Sequence, residues 1–231
     1  MVVSSYPMLK RAGPAVWLGC ALVWGVGSAH ARIGDTPDQM SARMLQPNLG
    51  KIFSWPKDMS PRERERAQKE SPLAPFAHLL PGQGEEWQEQ IFWKSALHRQ
   101  LSQDDGWRVH VYYLKGRSVV ELYRRVGEPL NEFEINAILG RMRGNLTWRR
   151  IPRKEQETPA DTVLGYDYEL GDEGAETLRA RRQGDWLVVY HKRFDDLLLT
   201  RRARWEETEA QRKAEQAAVQ EKTAPASVEG F

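Results

Sequence analysis

The feature that most constrains the fold is a tight hairpin. Trp107–Leu114 and Arg117–Arg125 both read as strands, and only Lys115-Gly116 separates them. A two-residue connection between strands requires positive φ, which Gly116 supplies without steric cost, so the chain doubles back there as an antiparallel pair. Counting outward from the turn predicts Val111 opposite Val120 and Val109 opposite Leu122, with Tyr113 beside them, as an apolar face. The other face then pairs His110 with Glu121, Arg108 with Tyr123 and Tyr112 with Val119. One face is expected in the core and the other in water.

A helix follows the hairpin. Asn131 and Glu134 form an Asn-x-x-Glu variant of the capping box, with Leu130 and Ile135 as its hydrophobic staple. Ile135, Ile138, Leu139 and Met142 recur at helical spacing on one side, and Gly144 is placed to stop the helix. Strands are predicted at Glu89–Lys94, Val163–Leu170, Glu176–Arg182 and Asp185–His191, with a short one through Trp148 in Leu146–Ile151. Glu176–Arg182 and Asp185–His191 read as a second hairpin around Gln183-Gly184. Its register sets Leu178 against Val189 and Ala180 against Leu187, with Arg181 meeting Trp186 on the other face.

Upstream, Thr36–Leu45 has the marks of a short helix: Thr36 as N-cap, Pro37 in the first turn, Pro47 beyond the end, and Met40, Met44 and Leu45 on one face. Lys51–Gly84 holds Pro56, Pro61, Pro72, Pro75 and Pro81 around the run Arg62-Glu63-Arg64-Glu65-Arg66, and reads as an extended insertion or mobile excursion. From Arg193 the chain turns helical, with Phe194, Leu197, Leu198 and Trp205 as its apolar stripe. It then becomes rich in Ala, Glu, Gln and Lys, and Thr223–Phe231 reads as disordered. The expected class is α+β: an antiparallel sheet of two hairpins plus additional strands, helices packed on one face, and a C-terminal helix. The segments are 1–31, a leader; 32–50, helical; 51–86, the Pro-rich charged insertion; 87–205, the α+β domain; and 206–231, a polar helical tail.

The leader has the order of an export signal. Lys10 and Arg11 precede the apolar stretch Ala12–Val26, and Ser28-Ala29-His30-Ala31 ends in the small-x-small pattern of a cleavage site. Cleavage after Ala31 would leave a mature chain starting at Arg32, periplasmic or extracellular, with a retained anchor as the alternative. The sole cysteine, Cys20, lies in the leader, so the mature chain has neither disulfide nor thiolate. Lipidation at Cys20 is disfavoured because the apolar run continues past it. Of 34 basic and 32 acidic residues the leader takes Lys10 and Arg11 and no acid, which leaves 32 of each. A balanced charge gives no argument for nucleic acid or an anionic surface, and no further segment is apolar enough to span a bilayer.

Two stretches resemble a loose group of exported bacterial proteins of unknown function. Arg32-Ile33-Gly34-Asp35-Thr36, followed by Gln39 and Arg43, is similar to that group's Arg-Ile-Gly-Glu-Thr opening. The group usually continues with Arg-Tyr-Gly and a proline, from which Arg43-Met44-Leu45 and Pro47 depart. The second stretch runs from Val109 through Gly116-Arg117-Ser118, then Leu130, Glu134-Ile135, Leu139 and Trp148. Together they cover less than half of the chain. The resemblance implies export and a small α+β fold, and brings no activity. A looser likeness, of fold only, is to small periplasmic BamE/SmpA-type modules, in which a Gly-x-Thr helix precedes a sheet.

Candidate chemistry is sparse. A carboxylate across the strand would orient the His110 imidazole, so His110 with Glu121 is the candidate pair for acid–base catalysis, against an ordinary cross-strand contact. His98, Asp104 and Asp105 could be imagined as metal ligands with His110, but Asp-Asp-Gly is a common turn sequence. Asp167, Glu169, Asp172 and Glu173 lack the full spacing of a calcium loop. Asn145-Leu146-Thr147 matches a glycosylation acceptor only formally. Aromatics and arginines recur together in Trp148-Arg149-Arg150, Arg181-Arg182 beside Trp186, and Arg201-Arg202 with Arg204-Trp205. Trp148, Arg181, Trp186 and Trp205 are thus the candidate contact residues, with cation–π packing on the sheet as the competing account. No metal, cofactor or nucleic acid is expected. The leading function is a non-catalytic interaction or binding module of the bacterial envelope with an unidentified envelope protein as partner; a hydrolase using His110 and Glu121 and a polyanion binder are the alternatives.

Overall fold

Two four-stranded meanders, each followed by a helix, meet along one seam. The computed structural model describes residues 33–45, 50–54, 57–95, 106–155, 160–171 and 177–223. Its first half runs α1 (Pro37–Leu45), β1 (Gly50–Phe53), α2 (Pro61–Glu70), β2 (Trp87–Lys94), β3 (Trp107–Leu114), β4 (Arg117–Arg125) and α3 (Glu132–Met142). The second half runs β5 (Trp148–Arg150), β6 (Tyr168–Leu170), β7 (Leu178–Gln183), β8 (Trp186–His191) and α4 (Lys192–Thr223). The eight strands form one sheet in the order β1-β2-β3-β4-β8-β7-β6-β5, antiparallel throughout. This is the α+β architecture expected, C-terminal helix included.

The helix α3 forms for the local reasons its sequence offers. Asn131 Oδ1 accepts from the Glu134 amide at 2.9 Å, and Glu134 Oε2 accepts from the Asn131 amide at 3.1 Å, which satisfies two otherwise unpaired donors. Ile135, Leu139 and Met142 are buried beneath it. With α1 they cover one face of the sheet, where Phe92, Val109, Val111, Leu187 and Val189 complete the core.

The first hairpin turns at Lys115-Gly116, both with positive φ (53° and 71°). Its register departs from a straight count. Tyr113 pairs with Ser118, but Tyr112 pairs with Val120, leaving Val119 as an extra residue in β4. This bulge shifts everything beyond it by one position and therefore exchanges the faces of β4. Val111 faces Glu121, His110 faces Leu122 and Val109 faces Tyr123, in place of the pairings predicted. In the second hairpin the turn is Gly184-Asp185, so Gln183 pairs with Trp186, Ala180 with Val189 and Arg181 with Val188. That register slips by two, which preserves the faces: Leu178, Ala180, Leu187 and Val189 still share the core.

The face expected in water is buried as well. Tyr112, Val120, Leu122, Val188 and Tyr190 pack beneath Phe194 and Leu198 of α4, and beneath Leu73 and Leu79 from the Pro-rich segment. That segment is thus not an extended excursion: Ser60 and Glu63 cap α2 reciprocally, and Ala74–Leu79 forms a 3-10 helix. Arg201 of α4 clamps it, its guanidinium donating to the Leu80 carbonyl at 3.2 Å and bonding the Glu85 carboxylate. The strand predicted over Val163–Leu170 is confined to β6, because the Asp195 carboxylate holds the Val163 and Leu164 amides at 3.0 and 2.9 Å in a turn. Beyond Trp205, α4 continues as one helix, with side chains exposed nearly throughout to Gln220. Among the described residues no helix is long and apolar enough to cross a membrane. The leader and residues 224–231 lie outside the described residues.

Candidate functional site

Because of the bulge, His110 and Glu121 stand on opposite faces of the sheet, and the catalytic pair predicted for them does not form. His110, 3 % exposed, faces α4 and meets Trp186 edge-on at 5.2 Å. Its carboxylate partner is Glu89, two positions along the neighbouring strand, at 3.1 Å from Nδ1. Burial works to raise the Glu89 carboxyl, but the bonds from His110 and Tyr112 and the positive groups nearby together hold the pKa below the usual glutamate value. The Tyr112 hydroxyl bonds the same carboxylate, and burial with that carboxylate beside it lifts the phenol well above its ordinary range. Ser71 lies 3.5 Å from the hydroxyl. The chain is therefore a buried polar string that ties the Pro-rich segment to β2 and β3.

Glu121, on the other face, is fully buried and forms an ion pair with Arg43 of α1 at 2.9 Å while accepting the Tyr123 hydroxyl. Burial alone would weaken the Arg43 charge, yet Glu121, Tyr123 and Asp35 hold the guanidinium firmly protonated. Around this pair the two stretches that carry the resemblance meet. The Gly34 amide donates to Ser118 Oγ at 2.8 Å, Arg117 donates to the Gly34 carbonyl at 3.1 Å, and the Ser118 amide donates to the Asp35 carbonyl at 2.9 Å. Thr36 and Gln39 cap α1 reciprocally. The opening motif is thus a clasp onto the hairpin turn.

Beside the clasp, between α3 and the ends of β2, β3 and β4, lies an open cleft of about 520 Å³. Its floor is apolar, made by Met44, Trp107, Val109, Tyr123, Ile138 and Met142. Phe133, Ala137 and Arg141 line it from successive turns of α3, and Phe133 is 81 % exposed. The two ends differ in charge. Near the start of α3, Arg125 is neutralised by Glu134 at 2.7 Å. Near its end, Lys94, Arg141 and Arg43 gather, and the Lys94 ammonium is pushed below its usual pKa by burial, then by Arg141 and Arg43.

The candidate contact residues do not share one surface. Trp148 donates from Nε1 to the Leu139 carbonyl at 2.7 Å and lines a second cleft of about 400 Å³ beside α3, together with Arg143, Arg150 and Tyr168. Trp186 is 7 % exposed, on the opposite face under Arg124. Arg181 donates to the Leu164 carbonyl. Trp205, 45 % exposed, lies on α4 against His78 at 4.7 Å. Glu169 binds Arg149 and Arg179, and Asp167 accepts from the Arg182 amide, so both acidic residues are engaged by protein groups. Asp172 and Glu173, and His98, Asp104 and Asp105, lie outside the described residues. Among the described residues no group of three His, Cys, Asp or Glu is arranged to hold a metal. The residues that sequence reasoning missed, Glu89, Lys94, Ile138 and Arg141, come from two elements, β2 and α3, and only their surroundings in space mark them. Comparison with protein-family models, with curated proteins and with solved structures finds no match.

Proposed function

We propose that this is an exported, non-enzymatic binding module of the bacterial envelope, and that its ligand seat is the cleft beneath α3. The cleft carries the reading. A volume of about 520 Å³, an apolar floor and a few polar groups at the rim have the proportions of a small-ligand site. An aromatic as exposed as Phe133 at its edge is the kind of apolar patch that marks a contact surface. The leader, with its charged start, apolar run and small-x-small end, supports export. The hydrolase alternative loses its motive, since His110 and Glu121 are on different faces and His110 is packed under Trp186. The polyanion alternative lacks a common surface, with Trp148, Trp186 and Trp205 on three separate parts of the fold.

The test is native mass spectrometry of the protein recovered from cells expressing the full chain, beside an Ala137→Trp variant whose side chain fills the cleft from an exposed helix position. The expected result is a non-covalent adduct on the wild type that is missing from the variant, with both proteins melting alike. An adduct unaffected by the substitution sinks the cleft as the seat. Reproducible turnover of an envelope substrate that disappears in His110→Ala overturns the non-enzymatic reading.

A further inference from the structure

We infer that the second cleft, between α3 and the β5–β6 end of the sheet, is a seat for an acidic sugar, a pyranose ring bearing a carboxylate. Its ring lies against Trp148 and its acid is held by Arg143 and Arg150. This cleft shares no lining residue with the apolar one, so the inference stands independently of that site.

Three observations carry it. The first is the makeup of the cleft, which has a volume of about 400 Å³. Glu132, Asn136 and Gly140 line it from one side of α3, and Arg143 continues that row as the C-cap, at spacings of four, four and three residues. On the sheet side, Trp148 and Arg150 stand two apart in β5 and so project to one face, with Tyr168 of β6 directly across from Arg150. Arg149 between them points away, to Glu169 at 3.0 Å. The bond from Trp148 Nε1 to the Leu139 carbonyl pins the indole as a flat apolar wall. The C–H face of a pyranose suits such a wall, while its rim of hydroxyls needs groups like the Asn136 amide, the Thr147 hydroxyl and the Tyr168 phenol. Burial first, and then the charge of Glu132, lift the phenol above its ordinary pKa, so it stays a donor at neutral pH.

The second observation is the charge. Among the described residues neither the Arg143 nor the Arg150 guanidinium has an ion pair or a hydrogen bond. Glu132, the only carboxylate among the lining residues, is paired with Arg182 at 3.3 Å, which leaves the cleft wall positive. A planar guanidinium matches a carboxylate fork to fork. Glu132 also separates a carboxylate sugar from a phosphate. A phosphate dianion repels it with twice the charge and has no hydroxyl of its own to donate. The third observation is Gly140. Glycine weakens a helix interior, yet a Cβ at this position would meet nothing within 4 Å, so packing does not require it. What it does is leave the helix wall open to close approach.

Saturation-transfer NMR titrations of the full chain with glucuronate, glucose, glucose 6-phosphate and acetylated aspartate test this. Glucuronate is expected to bind at one per chain, about tenfold tighter than glucose and tighter than glucose 6-phosphate. Arg143→Gln with Arg150→Gln, both at exposed positions, should bring glucuronate down to the level of glucose. Gly140→Leu fills the cleft from an open helix position, and should abolish glucuronate binding without lowering the urea midpoint. Ala137→Trp, in the other cleft, should leave it unchanged. Equal affinity for glucuronate and glucose, or a preference that survives loss of both arginines, overturns the role of the acid. Acetylated aspartate binding as tightly as glucuronate would make the occupant an acidic peptide, and tighter glucose 6-phosphate would make it a phosphate; either overturns the proposal. No binding of any probe at about 10 mM, or binding indifferent to Gly140→Leu, refutes the seat itself.

Discussion

Arg43→Ala is expected to be among the most damaging single substitutions outside the hydrophobic core. Its partner Glu121 has no exposed side-chain surface, and the two charges are 2.9 Å apart. Removing the guanidinium leaves a carboxylate inside the sheet with the Tyr123 hydroxyl as its remaining close partner. Stranding a buried charge in this way costs about 3–5 kcal/mol, against a total stability of about 5–15 kcal/mol for a typical domain. In urea, at roughly 2 kcal/mol/M, that lowers the midpoint by about 2 M. The reverse deletion, Glu121→Gln, should cost less, about 1–3 kcal/mol, because Arg43 is part-exposed and keeps Asp35 at 3.3 Å. The decisive variant is the double one, Arg43→Met with Glu121→Leu, which removes both charges and should recover most of the loss. Urea melts followed by circular dichroism, with the slope checked for constancy, on the wild type, Arg43→Ala, Glu121→Leu and the variant with both supply the four corners of a cycle. A cost below about 1 kcal/mol for Arg43→Ala, or the same cost in the Glu121→Leu background, would refute the reasoning.

Three further outcomes follow from other parts of the molecule. Lys115 holds φ at 53° in the hairpin turn, a region that favours Asn or Gly, so Lys115→Asn should stabilise the protein by about 0.5–1 kcal/mol in the same melts. Glu89 has a folded pKa below its ordinary 4.5, so its contribution to stability is present above that value and is lost as the pH falls through the lower folded one. Glu89→Gln should therefore flatten the acid limb of the stability–pH curve, and an unchanged limb would show the His110 bond to be inert. Truncation after Trp205 removes side chains that are almost all exposed, and should change stability by less than about 0.5 kcal/mol. A large drop in midpoint would mean that the outer helix is packed in solution.

Much of the fold was legible where the signal is local. The cap at Asn131 and Glu134, the stripe on α3, the turn at Lys115-Gly116 and the helix after His191 all follow from a few adjacent residues. What failed depended on distant partners. Val119 looks like any strand residue, and only the need to bring Glu121 beneath Arg43, 78 positions away, shows why it is bulged out. Gly184 can occupy either central position of a two-residue turn, so the second register came out two positions off with its faces intact. Leu73 and Leu79, spaced among prolines, have no period to reveal that they cover Tyr112 and Val120. The His110 site was half legible: a carboxylate partner was anticipated, but it is Glu89, two strands away from Glu121. The cleft was not legible, since its floor and its cations are assembled from α1, α3 and the ends of three strands.

The single seam between β4 and β8 has a consequence for how the chain is made. Each meander can zip up from neighbouring segments, but β4 must wait for β8, which follows it by roughly sixty residues. A chain emerging N-terminus first would thus display, for several seconds at typical synthesis rates, a finished half-sheet with an open edge. That edge carries Val120 and Leu122, both wholly shielded in the finished protein. An exposed apolar edge is a template for joining the wrong strand, from this chain or another. The vulnerable interval ends only when Leu187 and Val188 arrive to pair with Tyr123 and Leu122. Nascent chains halted before residue 186 should accordingly be the species that aggregate or recruit a chaperone, while those halted after 191 should not.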